Sequence, residues 1–168
     1  MSKIILISGL VGAGKSTYAR ELEKTNGAVR FSIDEWMATL FKADWSDDLN
    51  FKWSMERIYR IEDQIWSMVE KLISINVTAV LDLGLLKLEH RQKFYELAAT
   101  HGYEIETHLI EADKAIRWQR VQNRNLEKGE TFSLEVTREM FDFCEELYER
   151  PHGDEMTRCQ FIRTDMVN

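Results

Sequence analysis

Two patterns of apolar residues alternate along the chain. Short runs rich in Ile, Val, Leu and aromatic residues occur at residues 3–8 (KIILIS), 28–33 (AVRFSI), 77–83 (VTAVLDL), 103–110 (YEIETHLI) and 159–164 (CQFIRT). Runs of this length and composition predict buried strands. Between them apolar residues recur at helical spacing. The clearest case is Ile58, Ile61, Ile65, Val69 and Leu72, which predicts a long helix over about 54–75. Further helices are predicted over about 15–24, 87–100 (with Gly102 stopping it), 113–126 and 133–149. Strands alternating with helices predict an α/β fold: a three-layer sandwich with a central parallel sheet and helices on both faces.

Nothing divides the pattern. The only proline is Pro151, no Ser/Gly-rich linker interrupts the 168 residues, and a single domain over 1–168 is expected. A hydrophobic content of 44% with 30% charged residues is a globular composition. No apolar run approaches the roughly 20 residues that span a bilayer, so no membrane segment is expected. The apolar N-terminus leads straight into a glycine-rich loop, which argues against a signal peptide. Cys144 and Cys159 stand far apart, outside any CxxC or Cys/His cluster. Reduced thiols and a cytoplasmic location follow as the simplest account. The formal charge of −7 is the reverse of what a polynucleotide backbone attracts, so nucleic acid is not the expected partner.

The chemistry is concentrated at the end of the first predicted strand. Gly9-Leu10-Val11-Gly12-Ala13-Gly14-Lys15-Ser16 fits GxxxxGK[ST], and it follows a strand and opens a helix, as the mechanism of that motif requires. Backbone N–H groups of Gly9, Gly12, Ala13, Gly14, Lys15, Ser16 and Thr17 would cradle phosphate oxygens at a helix N-terminus. Lys15 would reach the β- and γ-phosphates, and the Ser16 hydroxyl would ligate Mg²⁺. ATP and Mg²⁺ are the expected cofactors.

Other positions admit two readings each. Asp34, at the end of the second strand, faces the same crevice in a parallel sheet. It is a base for an attacking hydroxyl or the N-cap of the next helix. Asp82, ending the third strand, is a group near Mg²⁺ or the start of a turn with Gly84. Arg117, Arg120 and Arg124 are spaced to share one helix face, as phosphoryl-stabilising groups or as a solvated basic stripe. With Asn123, Asn125, Lys128, Gly129 and Glu130 they outline a lid over about 117–131. Trp36, Trp45, Trp53 and Trp66, with Phe41, Phe51, Tyr59, Asp44, Asp47 and Asp48, fall in a stretch that suits an acceptor cap, about 35–66. From Asp34 to Glu56 six acids face two lysines, which favours a neutral or cationic acceptor with a flat or apolar part.

Taken in order, GLVGAGKS, Asp34, VLDLGLL followed by Arg91, RWQRVQNRN and Tyr148-Glu149-Arg150-Pro151 resemble a family of small bacterial P-loop kinases. That family includes chloramphenicol phosphotransferase-like, zeta-toxin-like and polynucleotide-kinase-like proteins. The resemblance implies a kinase with Lys15, Asp34, Arg120 and Arg124 as catalytic residues: Asp34 as general base and the two arginines in the lid. It implies Ser16 and Asp82 at the metal. Glu35 and Trp36 stand where the family often carries a basic or hydroxyl residue, which disfavours a phosphate-bearing acceptor. A small-molecule hydroxyl acceptor is therefore expected, acted on by a monomer or homodimer. The alternatives are a polynucleotide 5′-hydroxyl kinase and a P-loop ATPase or nucleotide sensor without an acceptor.

Overall fold

The computed structural model describes residues 2–44, 51–129 and 135–166. They form five strands, β1 (Ile4–Ser8), β2 (Val29–Ser32), β3 (Ala79–Asp82), β4 (Ile105–Glu111) and β5 (Cys159–Arg163). Every pairing is parallel, in the order β2-β3-β1-β4-β5. The helices are α1 (Lys15–Asn26), α2 (Ile33–Phe41), α3 (Phe51–Ser74), α4 (Leu88–His101), α5 (Lys114–Glu127) and α6 (Arg138–Leu147), with 3-10 turns at Lys42–Asp44 and Gly153–Arg158. The inner strands are short because they are buried on both faces and need only enough length to cross the core, while the edge strand β5 is largely exposed. β1 and β3 are buried at every position.

Alternate residues of each strand feed two cores. Ile4 and Leu6 of β1, Phe31 of β2 and Leu81 of β3 pack with Ile61, Ile65 and Val69 of α3 and Phe94 of α4. Ile5, Ile7 and Val80 face the other way, against Ala19 and Leu22 of α1. This is the α/β P-loop sandwich that the periodicity predicts. Among the described residues no helix is long and apolar enough to cross a membrane.

Element ends shift by a few residues, once with consequence. β2 stops at Ser32 rather than Ile33, because the Ser32 hydroxyl accepts the Glu35 backbone N–H and starts α2. Asp34 therefore sits in the first turn of α2, and the N-cap role goes to Ser32.

The aromatic cap divides. Trp36 packs on Phe31 and Trp66 on Phe94, both against the α3 core. Phe41 and Trp53 meet edge to face under the Arg57 guanidinium. Trp45, Asp47 and Asp48 lie outside the described residues, as do Glu130 and Thr131 of the expected lid.

Candidate active site

The chain leaves the centre of the sheet at Gly9 and turns into α1 through the glycine-rich loop. Two glycines are demanded by close backbone approach as well as by the turn. A Cβ on Gly9, at φ +143°, would run into the Ile110 carbonyl oxygen of β4. One on Gly12, at φ +78°, would run into the Arg117 carbonyl of α5. The loop is thus clamped between β4 and α5 before any ligand enters.

The cleft beyond it has a volume of about 410 Å³ and brings together residues from four parts of the chain. Gly12, Gly14, Lys15, Ser16 and Thr17 come from the loop and α1, Asp34 from α2, Asp82 from β3, and Arg120 and Arg124 from α5. The strand order makes this possible. β3 lies beside β1 while the chain crosses to β4 on its other side, so the carboxyl ends of β1, β2 and β3 open on one crevice. Ala13 is fully buried and contributes backbone to the loop.

Electrostatics couple the charged members. Burial lowers the Lys15 ammonium below the usual lysine range, and Asp82 and Asp34 oppose that shift. Lys15 Nζ donates to the Leu10 carbonyl at 3.0 Å. Burial raises the Asp34 carboxyl above the usual carboxylate range and the Asp82 charge adds to it, while Lys15 and Arg124 pull back. The Asp34 side chain is exposed and lines the cleft. Arg124 is lowered by burial, with Asp34 opposing, and its Nε–H has no hydrogen-bond partner among the described residues. Desolvation and like charge thus push the acid Asp34 up, and desolvation pushes the bases Lys15 and Arg124 down.

The arginine stripe separates into three fates. Arg117 is buried, donating to Glu145 through both terminal nitrogens and to the Ala112 and Val11 carbonyls. Arg120 touches the cleft, but its N–H groups donate to Thr164 Oγ1 and the Thr164 carbonyl at 2.8 Å and to the Ala13 carbonyl at 3.5 Å. In this arrangement Arg120, beside the direct Thr164 Oγ1–Ala13 hydrogen bond, helps hold the phosphate loop to the end of β5 while still lining the cleft. Arg124 alone of the three carries the interaction with Asp34. Asn125, one residue on, donates to the Val136 carbonyl and accepts the Val136 N–H, which ties the end of α5 to the segment before α6.

Asp82 is 5% exposed, with Arg30 Nη1 3.6 Å from Oδ2, which makes no hydrogen bond among the described residues. Arg30 and Arg20 both pair with Glu35. The sequence reading passed over this network, although an Arg inside the predicted strand 28–33 was its visible sign. It also passed over Glu62, fully buried on α3, whose carboxylate meets His90 Nε2 at 2.5 Å and Lys93 Nζ at 3.1 Å. The signal was there: Glu62 stands between Ile58, Ile65 and Val69 on the apolar stripe. Cys144 and Cys159 are free thiols, each raised by burial.

The late motifs are structural. Arg91 is fully buried and pairs with Glu155, while donating to the carbonyls of Leu85, Leu86 and Glu149. Glu149 in turn accepts the Leu88 N–H and so caps α4, whose own N-cap, Lys87, offers no side-chain acceptor.

A parallel sheet with this strand order, a phosphate-type loop after its central strand and an acid at the end of β3 define a P-loop nucleotide-binding domain of the kinase-like kind. Residues 4–151 match the AAA domain family model AAA_33, and the chain belongs to that family. No match is found among curated proteins. Among solved structures, the chain is similar to a gluconokinase from Sinorhizobium meliloti 1021, at TM-score 0.62 and 16% identity, over 96% of this chain and 82% of that one. It is also similar to Chaetomium thermophilum Kti12 in complex with ADP-AlF3, at TM-score 0.68 and 16% identity, over 96% and 89%. The Mycobacterium tuberculosis APS kinase CysC, in complex with AMPPNP and APS, aligns at TM-score 0.62 and 18% identity, over 99% and 90%. At these identities the likeness carries the fold.

Proposed function

We propose that this protein is an ATP-dependent phosphotransferase that moves the γ-phosphoryl group to a hydroxyl of a small molecule. The observation that carries the reading is the convergence of Lys15, Asp34, Asp82 and Arg124 on one cleft beside the phosphate loop. Loop N–H groups and Lys15 bind the phosphates. Asp34 takes the proton of the acceptor hydroxyl as its oxygen bonds to the γ-phosphorus. The bond from that phosphorus to the β,γ-bridging oxygen breaks, and ADP leaves with the electron pair. Arg124 meets the charge on the transferring group. A divalent cation fits this donor set, since Asp82 Oδ2 is a buried oxygen without a hydrogen bond beside the Ser16 hydroxyl's cleft. Ser16 and Asp82 would hold Mg²⁺, which supplies neutralisation of the phosphate oxygens. The cap (35–66) and lid (117–131) would close over both substrates and exclude water.

Kinase-fold neighbours that act on different acceptors support the reaction class without naming an acceptor. The deciding experiment incubates the protein with Mg²⁺–ATP and a library of metabolites and antibiotics, read by mass spectrometry. At least one compound is expected to gain one phosphate. Production of ADP with inorganic phosphate and no labelled compound would overturn the reading in favour of an ATPase. Labelling of hydroxyl-ended oligonucleotides in preference to small molecules would turn it to the polynucleotide alternative.

A further inference from the structure

Buried polar atoms of β2 and β3 meet behind the wall of the phosphate cleft. In the β2–β3 pairing Arg30 lies opposite Val80, and Ser32 opposite Asp82. Side chains two apart along a strand share a face, so Arg30, Val80 and Asp82 stand on the side of the sheet that α1 covers. The Arg30 stem is long enough to reach its diagonal neighbour: Nη1 lies 3.6 Å from Asp82 Oδ2. Both side chains are enclosed, at 7% and 5% exposure. Asp82 lines the cleft, and Arg30 stands behind it.

The guanidinium is only partly used. Nη2 donates to Glu35 Oε1 at 2.5 Å, while Arg30 Nε, Arg30 Nη1 and Asp82 Oδ2 have no hydrogen-bond partner among the described residues. A buried fork of N–H donors normally spends them on direct bonds, and unspent ones are costly. Here Nη1 stops short of a hydrogen bond. At 3.6 Å the attraction between opposite charges persists, and the lone pairs of Oδ2 stay unspent. A carboxylate that is steadied by one cation and must still present oxygen to another needs that arrangement. The far side of the guanidinium reaches the other acid of the cleft. Glu35 follows Asp34 in the first turn of α2, and Arg20 of α1 donates to the same Oε1 at 2.9 Å. An ion-pair chain, Arg20–Glu35–Arg30–Asp82, thus ties the turn that carries Asp34 to the strand end that carries Asp82.

We propose that Arg30 is a positioning residue: it steadies the Asp82 carboxylate for a divalent cation in the cleft and holds the first turn of α2 in register with it. It acts through Asp82 and Glu35 and touches no substrate. The inference rests on the kinase reading for the cation's part in phosphoryl transfer; its effect on cation-assisted nucleotide binding needs no acceptor. The probe is ADP, titrated calorimetrically into the protein once with Mg²⁺ and once with EDTA, and the ratio of the two affinities is the Mg²⁺ gain.

The parent is expected to show a clear Mg²⁺ gain. Arg30→Met should leave the affinity in EDTA close to that of the parent and cut the gain by about tenfold, the usual scale for a partner that orients a metal ligand. Arg30→Lys, which keeps the charge without the fork, should recover part of it. Glu35→Gln, at a half-exposed side chain, should cut the gain less than Arg30→Met does. If Arg30→Met does not fold, Glu35→Gln decides, and an unchanged gain there overturns the assignment. A residue that only braces the sheet behaves differently. A lower Tm for Arg30→Met with the gain intact, or equal losses in Mg²⁺ and EDTA, would overturn the positioning role, as would a parent with no gain. Loss of the gain in Arg30→Met, in a protein that phosphorylates no compound of the library, would sink the kinase reading and leave the role of Arg30 standing.

Discussion

Asp34 shows how one residue's neighbours decide between a structural and a chemical role. Ser32 already caps α2, so the Asp34 carboxylate is free of that duty and shares a cleft with Lys15, Asp82 and Arg124. Burial and Asp82 together raise its pKa above the ordinary carboxylate value. If Asp34 is the base, Asp34→Asn keeps ATP affinity within a few-fold and lowers turnover by roughly 10²-fold or more, the usual scale for a positioned base. Steady-state kinetics on the acceptor that the library screen identifies checks this. The sign of the shift also fixes a stability effect. An acid whose folded pKa exceeds its unfolded value binds its proton more tightly when folded. It therefore costs nothing below the unfolded value, about 3.9, and costs most above the folded one. Asp34→Asn is expected to raise Tm at pH 8, with the gain shrinking to nothing as pH falls below the ordinary Asp range. A gain independent of pH would show that the carboxylate charge is not its source.

Helices and loops assemble the site through contacts that sequence spacing cannot display. Arg91 joins α4 to the turn after β3 and to the segment after α6, and it is paired with the buried Glu155. Arg91→Met leaves that carboxylate with the Tyr95 hydroxyl but without its counter-charge and should cost about 3–5 kcal/mol in urea unfolding. Arg91→Met combined with Glu155→Leu should recover part of the loss, because it removes the orphaned charge. On α5 the two outer roles are expected to separate in kinetics. Arg120→Ala, which removes the guanidinium between the Ala13 carbonyl and Thr164 and leaves only the direct Thr164–Ala13 hydrogen bond there, should weaken ATP binding and lower Tm; Arg124→Ala should leave Tm nearly unchanged and lower kcat more. The strands, the glycine-rich loop and Asp34 and Asp82 were legible because short apolar runs and a local motif mark them. The three arginines shared a helix face as predicted, yet partners 28 to 107 positions away gave them different fates. Ile33 prolonged the apolar run of β2 and hid the Ser32 cap. Glu62 was readable in principle, as an acid on an apolar stripe, but its partners on α4 follow only from the crossing of α3 over that helix.

At the scale of the molecule, binding and folding are one equilibrium. The phosphate loop is clamped by β4 and α5, and burial penalises the charged form of its Lys15. On the proposed function, nucleotide phosphates in the cleft would supply opposite charge to Lys15 and link α1, α2, β3 and α5 through one ligand. A ligand at 100 times its Kd that binds only the folded state adds about 2.7 kcal/mol of stability. For a chain of this size each kcal/mol moves Tm by about 2–4 °C, so saturating Mg²⁺–ATP should raise Tm by roughly 5–10 °C. Lys15→Ala is expected to remove most of that rise while raising the Tm of the ligand-free protein, since it relieves the buried ammonium. Differential scanning calorimetry of the two proteins, with and without Mg²⁺–ATP, measures both effects at once. Retention of the full rise by Lys15→Ala would mean that the nucleotide binds somewhere other than this loop, and with it the assignment of the cleft would fall.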